Sequence, residues 1–211
     1  MTSLAIFGGT GKIGGQVLER ALAAGHNVKA LVRDPAKLPP TTDHVNVITG
    51  DVLDPAAVDR TVADTSAVLA LFGRAKDSPA MLQTDGTRNI VQAMQRHGVS
   101  RLITLSGGGL RVDGLDQPKL ADKIIVFLLK RLSPEALADA EGHLEVLKNS
   151  GLEWTVVRAP RVKDSPGVGS YRVGHVGVNA STVISRADLA DFILSQVEDR
   201  RYVEQLPFVS A

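Results

Sequence analysis

Apolar residues in this chain alternate between two rhythms. Residues 4–7 form a short unbroken apolar run that reads as a buried strand. From 12 to 24 the spacing changes: Ile13, Val17, Leu18, Ala21 and Leu22 share one helical face, and Gly25 supplies the stop. Residues 27–32 return to strand character. The alternation then repeats. Strand 45–49 precedes a helix opened by Asp54 as N-cap with Pro55 at the first helical position, running to about 62. Strand 67–72 precedes a long amphipathic helix over 81–97, stopped by Gly98, and strand 101–105 follows. Strand and helix in strict turn predict an α/β fold, a doubly wound parallel sheet with right-handed crossovers.

The rhythm breaks at Ser106-Gly107-Gly108-Gly109. Residues 107–133 read as a loop followed by an apolar helix over 120–132, either a lid on the working edge or packing decoration. Ser133-Pro134-Glu135 opens the next helix, which ends at Ser150-Gly151. Strand 153–158 closes at Ala159-Pro160. The stretch 161–182 is glycine-punctuated and irregular, with Tyr171, Val173 and Val176 alternating, and reads as a small C-terminal substrate-side lobe of short strands. Ser185-Arg186-Ala187-Asp188 resembles a capping box with Asp in place of Glu, opening a helix that ends near 198. Residues 202–209 are a last strand candidate. Asp34-Pro35 and Pro39-Pro40 mark a loop. Repeats and linkers are absent, so 1–211 reads as one domain, with substrate-side elements at about 107–133 and 159–184.

The first strand–helix junction carries Gly8-Gly9-Thr10-Gly11-Lys12-Ile13-Gly14. A glycine-rich turn between a strand and a helix, with a second strand within about 30 residues, is the context of a dinucleotide fingerprint. Gly8 permits the tight turn, Gly11 lets a pyrophosphate approach the backbone, and Gly14 lets the helix pack close. The helix start turns free N–H groups and a positive dipole end toward that phosphate.

Arg33 follows the second strand, where NAD-preferring sites place an acid for the ribose hydroxyl. A guanidinium there favours the 2′-phosphate of NADP, with Lys37 as a second charge; the alternative leaves Arg33 solvated and Asp34 on the ribose. Asp51-Val52 after the third strand reads equally as an adenine contact and as a turn. Leu71, Phe72, Gly73 and Arg74 end the fourth strand, where the nicotinamide half would cross the sheet. Ser106 ends the fifth and reads equally as a substrate-carbonyl contact and as an ordinary turn residue.

Composition narrows the partners. The chain has 211 residues, 44% hydrophobic and 22% charged, a net charge of +1 and no cysteine. Disulfides, thiolate catalysis and Cys-ligated metals are excluded, and nothing points to nucleic acid. The apolar run 124–129 is too short to span a bilayer, and the N-terminus reads directly as a strand without a leader. The expected setting is cytoplasmic, with no membrane partner, as a monomer or homodimer. Acid–base machinery is thin. Tyr171 and Tyr202 both lack a lysine four residues on, no G-x-S-x-G elbow occurs, and His26, His44, His97, His143 and His175 lack metal-ligand spacing. His97 reads as a helix-end residue, His143 as a surface or packing residue, and His175 lies in the substrate lobe. Flavin-like acceptors take hydride with protonation from water, so such a site would mainly orient its reactants.

Ala5-Ile6-Phe7-Gly8-Gly9-Thr10-Gly11, Leu31-Val32-Arg33-Asp34, Gly50-Asp51-Val52-Leu53 and Gly86-Thr87-Arg88-Asn89-Ile90-Val91 resemble the atypical short-chain dehydrogenases, NAD(P)-binding Rossmann proteins. Ser150-Gly151-Leu152 and residues 183–189 extend the similarity, which is nearest to the biliverdin-IXβ reductase/NADPH-flavin reductase subgroup. The resemblance implies that Gly8, Thr10, Gly11, Lys12 and Ile13 hold the pyrophosphate, Arg33 the 2′-phosphate, and Asp51 and Val52 the adenine. Gly73 and Arg74 would line the path to the nicotinamide. The subgroup's serine after its fifth strand falls in register on Gly107, with Ser106 one residue before. Its histidine after a proline is replaced by Arg161 after Pro160, and an arginine cannot donate a proton at neutral pH. The resulting expectation is an NADPH-dependent reductase passing hydride to a flavin-like or quinone-like acceptor over Ser106, Pro160 and Arg161. Its rival is a non-catalytic NADP(H) sensor. An epimerase or dehydratase is disfavoured for want of the tyrosine–lysine pair.

Overall fold

The strands β1 (Ser3–Phe7), β2 (Asn27–Val32), β3 (Asn46–Thr49), β4 (Ala67–Ala70), β5 (Arg101–Gly107) and β6 (Glu153–Ala159) form the parallel body of an eight-stranded sheet. Its order is β3-β2-β1-β4-β5-β6, continued by two short C-terminal strands. This is the doubly wound Rossmann arrangement predicted from the alternation. The computed structural model describes residues 1–39, 44–75 and 77–211, with the backbone alone at 121, 122, 125, 129 and 130. Of the loop expected around Pro39-Pro40, Pro40 lies outside the described residues.

Helices cover both faces, so successive strand residues feed two cores. On one face Leu4, Ile6, Leu69 and Ile103 pack against α1 (Lys12–Ala23) and a C-terminal helix at Arg186–Ser195. On the other, Ala5, Phe7, Leu102 and Trp154 pack against α2 (Pro55–Val62), α3 (Leu82–His97) and a helix at Pro134–Lys148. Arg101 is buried at the start of β5, donating to the Gln196 and Glu153 carbonyls and the Thr155 hydroxyl. Burial pushes its guanidinium down to about 10, still charged at neutral pH.

The register aligns the carboxyl ends. Phe7 pairs with Leu31 and with Ala70, Ala70 with Thr104, and Gly107 with Ala159. Five strands therefore deliver their C-terminal residues to one edge.

The remaining elements are α4 (Leu120–Leu132), α5 (Pro134–Lys148), β7 (Arg161–Lys163), β8 (Arg172–Gly174), β9 (Val183–Ser185), α6 (Arg186–Ser195) and β10 (Phe208–Ser210). β8 runs antiparallel to β10 at the sheet edge, and β7 pairs with β9 in a separate two-stranded piece. Helix α4 falls on its expected span. Several expected boundaries move, among them the end of β5, which runs past 105 to Gly107 by pairing with β6. β4 stops at Ala70 because β1 turns away at Gly8 after a last bond from the Leu71 N–H to the Phe7 carbonyl. The last helix stops at Ser195 as the Gln196 N–H turns back to the Phe192 and Ile193 carbonyls. The last strand shrinks to Phe208–Ser210 because Glu204 takes φ 57°, which breaks an extended run.

Candidate functional site

The glycine turn is locked by backbone sterics. Gly8 has φ 86°, and a Cβ there would sit 2.7 Å from the Leu71 carbonyl carbon; a Cβ at Gly14 would collide with the Gly8 carbonyl oxygen. That oxygen accepts from the Gly11 N–H at 3.0 Å. The turn is thereby wedged between β1 and the exit of β4, where the strand order reverses. Asp54 caps α2 through the Ala56 N–H and Ser185 caps α6 through the Asp188 N–H, whereas α1 begins at Gly11 with no side-chain cap. The first-turn amides of α1 are left for an outside acceptor. A cradle that a Cβ would fill, beside uncapped amides, fits a pyrophosphate.

Beside this turn lies a small crevice lined by Gly8, Thr10, Arg33, Asp51, Val52 and Gly73. Arg33 stands at its lip, 75% exposed, with Nε 4.0 Å from Asp51 Oδ2. Asp51 Oδ1 accepts from the Leu53 N–H at 2.9 Å, so the turn role of this carboxylate is realised and its second oxygen faces the guanidinium. Asp34 is turned away: it caps a 3-10 turn at Pro35–Lys37 through the Ala36 N–H. Lys37 lies 3.6 Å from Asp34 and is absent from the crevice lining.

Helix α3 supports the crevice from behind. Asn89 Nδ2 donates to the Val52 carbonyl at 3.0 Å, and a Cβ at Gly86 would press within 3.0 Å of Phe72 and Val52. Lys12 is exposed at the start of α1, outside every cavity lining described here. Arg74 departs further from its expected place: it donates to Glu135 at 2.9 Å, drawn by the acid in the first turn of α5.

A second cavity of about 290 Å³ continues along the strand ends, lined by Ile13, Leu71, Phe72, Gly73, Ser106 and Pro160, among others. Gln83 also lines it and had no sequence signal of its own; its amide reaches the Phe72 carbonyl at 3.4 Å. Gly107, Ala159 and Pro160 form a shared wall with a third and larger cavity of about 460 Å³. This third space runs under α4 to Ala180, Ser181, Thr182 and Phe208. Its floor is largely apolar, and its described charged lining, Arg111, Lys119 and Arg161, is entirely cationic. The structure thus brings Ser106, Pro160 and Arg161 to adjoining walls.

A buried ion pair holds the cap over this cavity. Arg158, fully buried in β6, donates to both carboxylate oxygens of Asp116 at 2.6 and 3.1 Å and to the Leu110 and Leu206 carbonyls. Asp116 also accepts from the Val112 and Val176 N–H groups, tying the loop after β5 to the lobe after β8. Burial pushes the Asp116 carboxyl up, but the bonds from Arg158 and the two amides outweigh it and hold the group below the usual carboxylate range. Arg158 and Asp116 are 42 residues apart and show no motif; only the fold brings them together.

The histidines and tyrosines take structural places. His143 is buried rather than on the surface, between Thr87 Oγ1 at 2.8 Å and Thr104 Oγ1 at 3.1 Å, and burial pushes it down to about 4. His97 lies 3.2 Å from Asp59 in the last turn of α3, while Gly98 makes the left-handed cap. His175 faces the clamp, with Nδ1 3.9 Å from Asp116. Tyr171 and Tyr202 both pack on Phe192, with ring centroids 5.6 and 5.9 Å away. The walls of the second and third cavities therefore offer hydroxyls, an amide and cations, and among their described residues no carboxylate or imidazole.

A family model described as NAD(P)H-binding matches residues 8–200. The uncharacterized protein YwnB of Bacillus subtilis is 29% identical over 202 residues, covering 92% of each chain. A short-chain dehydrogenase/reductase from Veillonella parvula, solved in complex with NADP, is 20% identical with a TM-score of 0.82, covering 100% of this chain and 94% of that one. ChuY, an anaerobillin reductase from Escherichia coli O157:H7, is 20% identical with a TM-score of 0.77, covering 99% and 97%. These two structures share the fold.

Proposed function

This chain belongs to the NAD(P)H-binding family, and from that premise we propose that it is an NADPH-dependent reductase of a flat, anionic aromatic acceptor, flavin-like or quinone-like. The observation that carries the reading is the open cavity of about 460 Å³ sharing Gly107, Ala159 and Pro160 with the cavity that runs from Leu71 and Gly73 to Ser106. A sensor has no need of an empty apolar-floored space beside its nicotinamide; a reductase does.

Bound NADPH would supply the hydride. The chain's own part is binding and orientation. Gly8, Thr10, Gly11 and the first-turn amides of α1 would hold the pyrophosphate, with Val52 packing beside the adenine. Arg33 would turn from Asp51 toward a 2′-phosphate, exchanging one loose exposed ion pair for a charge-assisted one. Asp34, the acid next to Arg33, is committed to its own turn rather than to a ribose hydroxyl, which favours NADP(H) over NAD(H). Leu71, Phe72, Gly73 and Pro160 would wall the nicotinamide. Arg161 and Arg111 would attract an acceptor's anionic group, and the Ser106 hydroxyl would donate to a carbonyl at the shared wall.

The resemblance to biliverdin-IXβ and flavin reductases fits this arrangement. Departure from the histidine of that subgroup makes Arg161 a binding group rather than a proton donor. The experiment is the loss of NADPH absorbance with FMN as acceptor, with NADH run alongside. Turnover with NADPH that disappears in Arg33→Asp supports the reading. Tight NADPH binding without turnover on FMN or on a quinone would return the sensor.

A further inference from the structure

Helix α4 roofs the acceptor cavity through Val126, and Val126 also lines two neighbouring spaces of about 380 and 430 Å³. The helix thus stands off the sheet, with space on several sides. Its outward face is apolar. Leu120, Ile124, Phe127, Leu128 and Leu132 recur at helical spacing along one stripe and are 47–77% exposed. Leu115, in the loop before it, adds a further 52% exposed side chain. A contiguous stripe of large apolar groups on one helix is unlike scattered surface leucines and calls for a partner.

Charge chooses among partners. The 119–132 segment carries four basic residues against a single acid. Lys123 is exposed beside the stripe, and Arg131 is exposed within its last turn. A second copy laid on this face would bring like charges together. An anionic surface would not.

We propose that α4 is an interfacial anchor that seats its Leu120–Leu132 stripe in the headgroup region of an anionic lipid bilayer, with Lys123 and Arg131 on the lipid phosphates. No helix among the described residues is long and apolar enough to cross a membrane, but lying on one asks only for an apolar face with basic flanks. The expectation of no membrane partner weighed crossing alone. The anchor itself stands on the stripe and its charges, independently of what is reduced.

The test is flotation of the full chain with phosphatidylglycerol-containing vesicles and with pure phosphatidylcholine vesicles. Binding is expected to the anionic vesicles only, with a roughly fivefold fall in partitioning for each of Lys123→Gln and Arg131→Gln. Ile124→Asp/Phe127→Asp should abolish it. Both positions are exposed, so folding is checked by circular dichroism and by retained NADPH binding. Absence of flotation on anionic vesicles overturns the proposal. So does a dimer, seen by light scattering, that Phe127→Asp dissolves while vesicles bind neither protein.

Discussion

The two halves of the sheet edge are built differently. On the side of β1, β2 and β4 the backbone itself makes the site: Gly8 and Gly14 leave no room for a methyl group, and Gly86 and Asn89 brace Val52 from behind. On the side of β5 and β6 the site is roofed by elements that span cavities, and one buried ion pair, Arg158 with Asp116, gathers the roof. Invariant geometry suits a cofactor whose phosphates and rings never change. A roof over empty space suits acceptors that enter and leave. On the function proposed above, close packing falls where the cofactor would sit and looser packing where an acceptor would enter and leave.

The largest effect should come from Gly14→Val, which drives a side chain into the Gly8 carbonyl; loss of soluble folded protein, or of NADPH binding with it, is expected in thermal melts. A Gly14→Val protein that melts like the wild type would break the comparison. Asp116→Ala should cost about 3–5 kcal/mol by stranding the buried Arg158, with the loss concentrated in hydrogen exchange of 107–118 and 172–178 rather than of β1 and α1.

Acid should act in two stages. His143 stays neutral in the fold down to about pH 4 while the unfolded chain takes its proton from about 6.5, so stability declines as pH falls between those values, by up to roughly 3 kcal/mol. His143→Gln should flatten that slope in denaturant titrations. The Asp116 contribution has the depressed-acid sign: it is present above the ordinary carboxylate pKa and lost only as pH falls through the lower folded value. Smaller and purely functional, Arg33→Asp should weaken NADPH roughly 10- to 100-fold and NADH little, because it removes one charge-assisted contact. Arg161→Ala should raise the KM for an anionic acceptor about tenfold and leave that for NADPH unchanged. Equal changes in both would move Arg161 out of the acceptor cavity.

The same division governs what could be read from the residues in order. Local physics writes the cofactor half. A glycine turn, a helix stop and the residue after a strand lie within a few positions of one another, and Gly8, Thr10, Arg33, Asp51 and Gly73 line one crevice. Lys37 and Arg74 miss it because nearby acids, Asp34 and Glu135, claim them, and pairings of that kind carry no motif. The acceptor half is written by long-range contacts. Asp116 meets Arg158 across 42 residues, β9 is three residues long and pairs with β7, and Arg111 joins Arg161 through the loop after β5. Helix α4 was legible as a helix because its periodicity is local, but its exposure depends on the space beneath it.

Ala180 lines the large cavity and no described part of the cofactor crevice, so Ala180→Trp fills one without touching the other. The decisive measurement is NADPH oxidation with FMN in the wild type and in this variant, beside the NADPH dissociation constant of each. The account predicts turnover in the wild type and its loss in Ala180→Trp at unchanged NADPH affinity. Turnover that survives Ala180→Trp would contradict it, because the acceptor would then be reduced somewhere else.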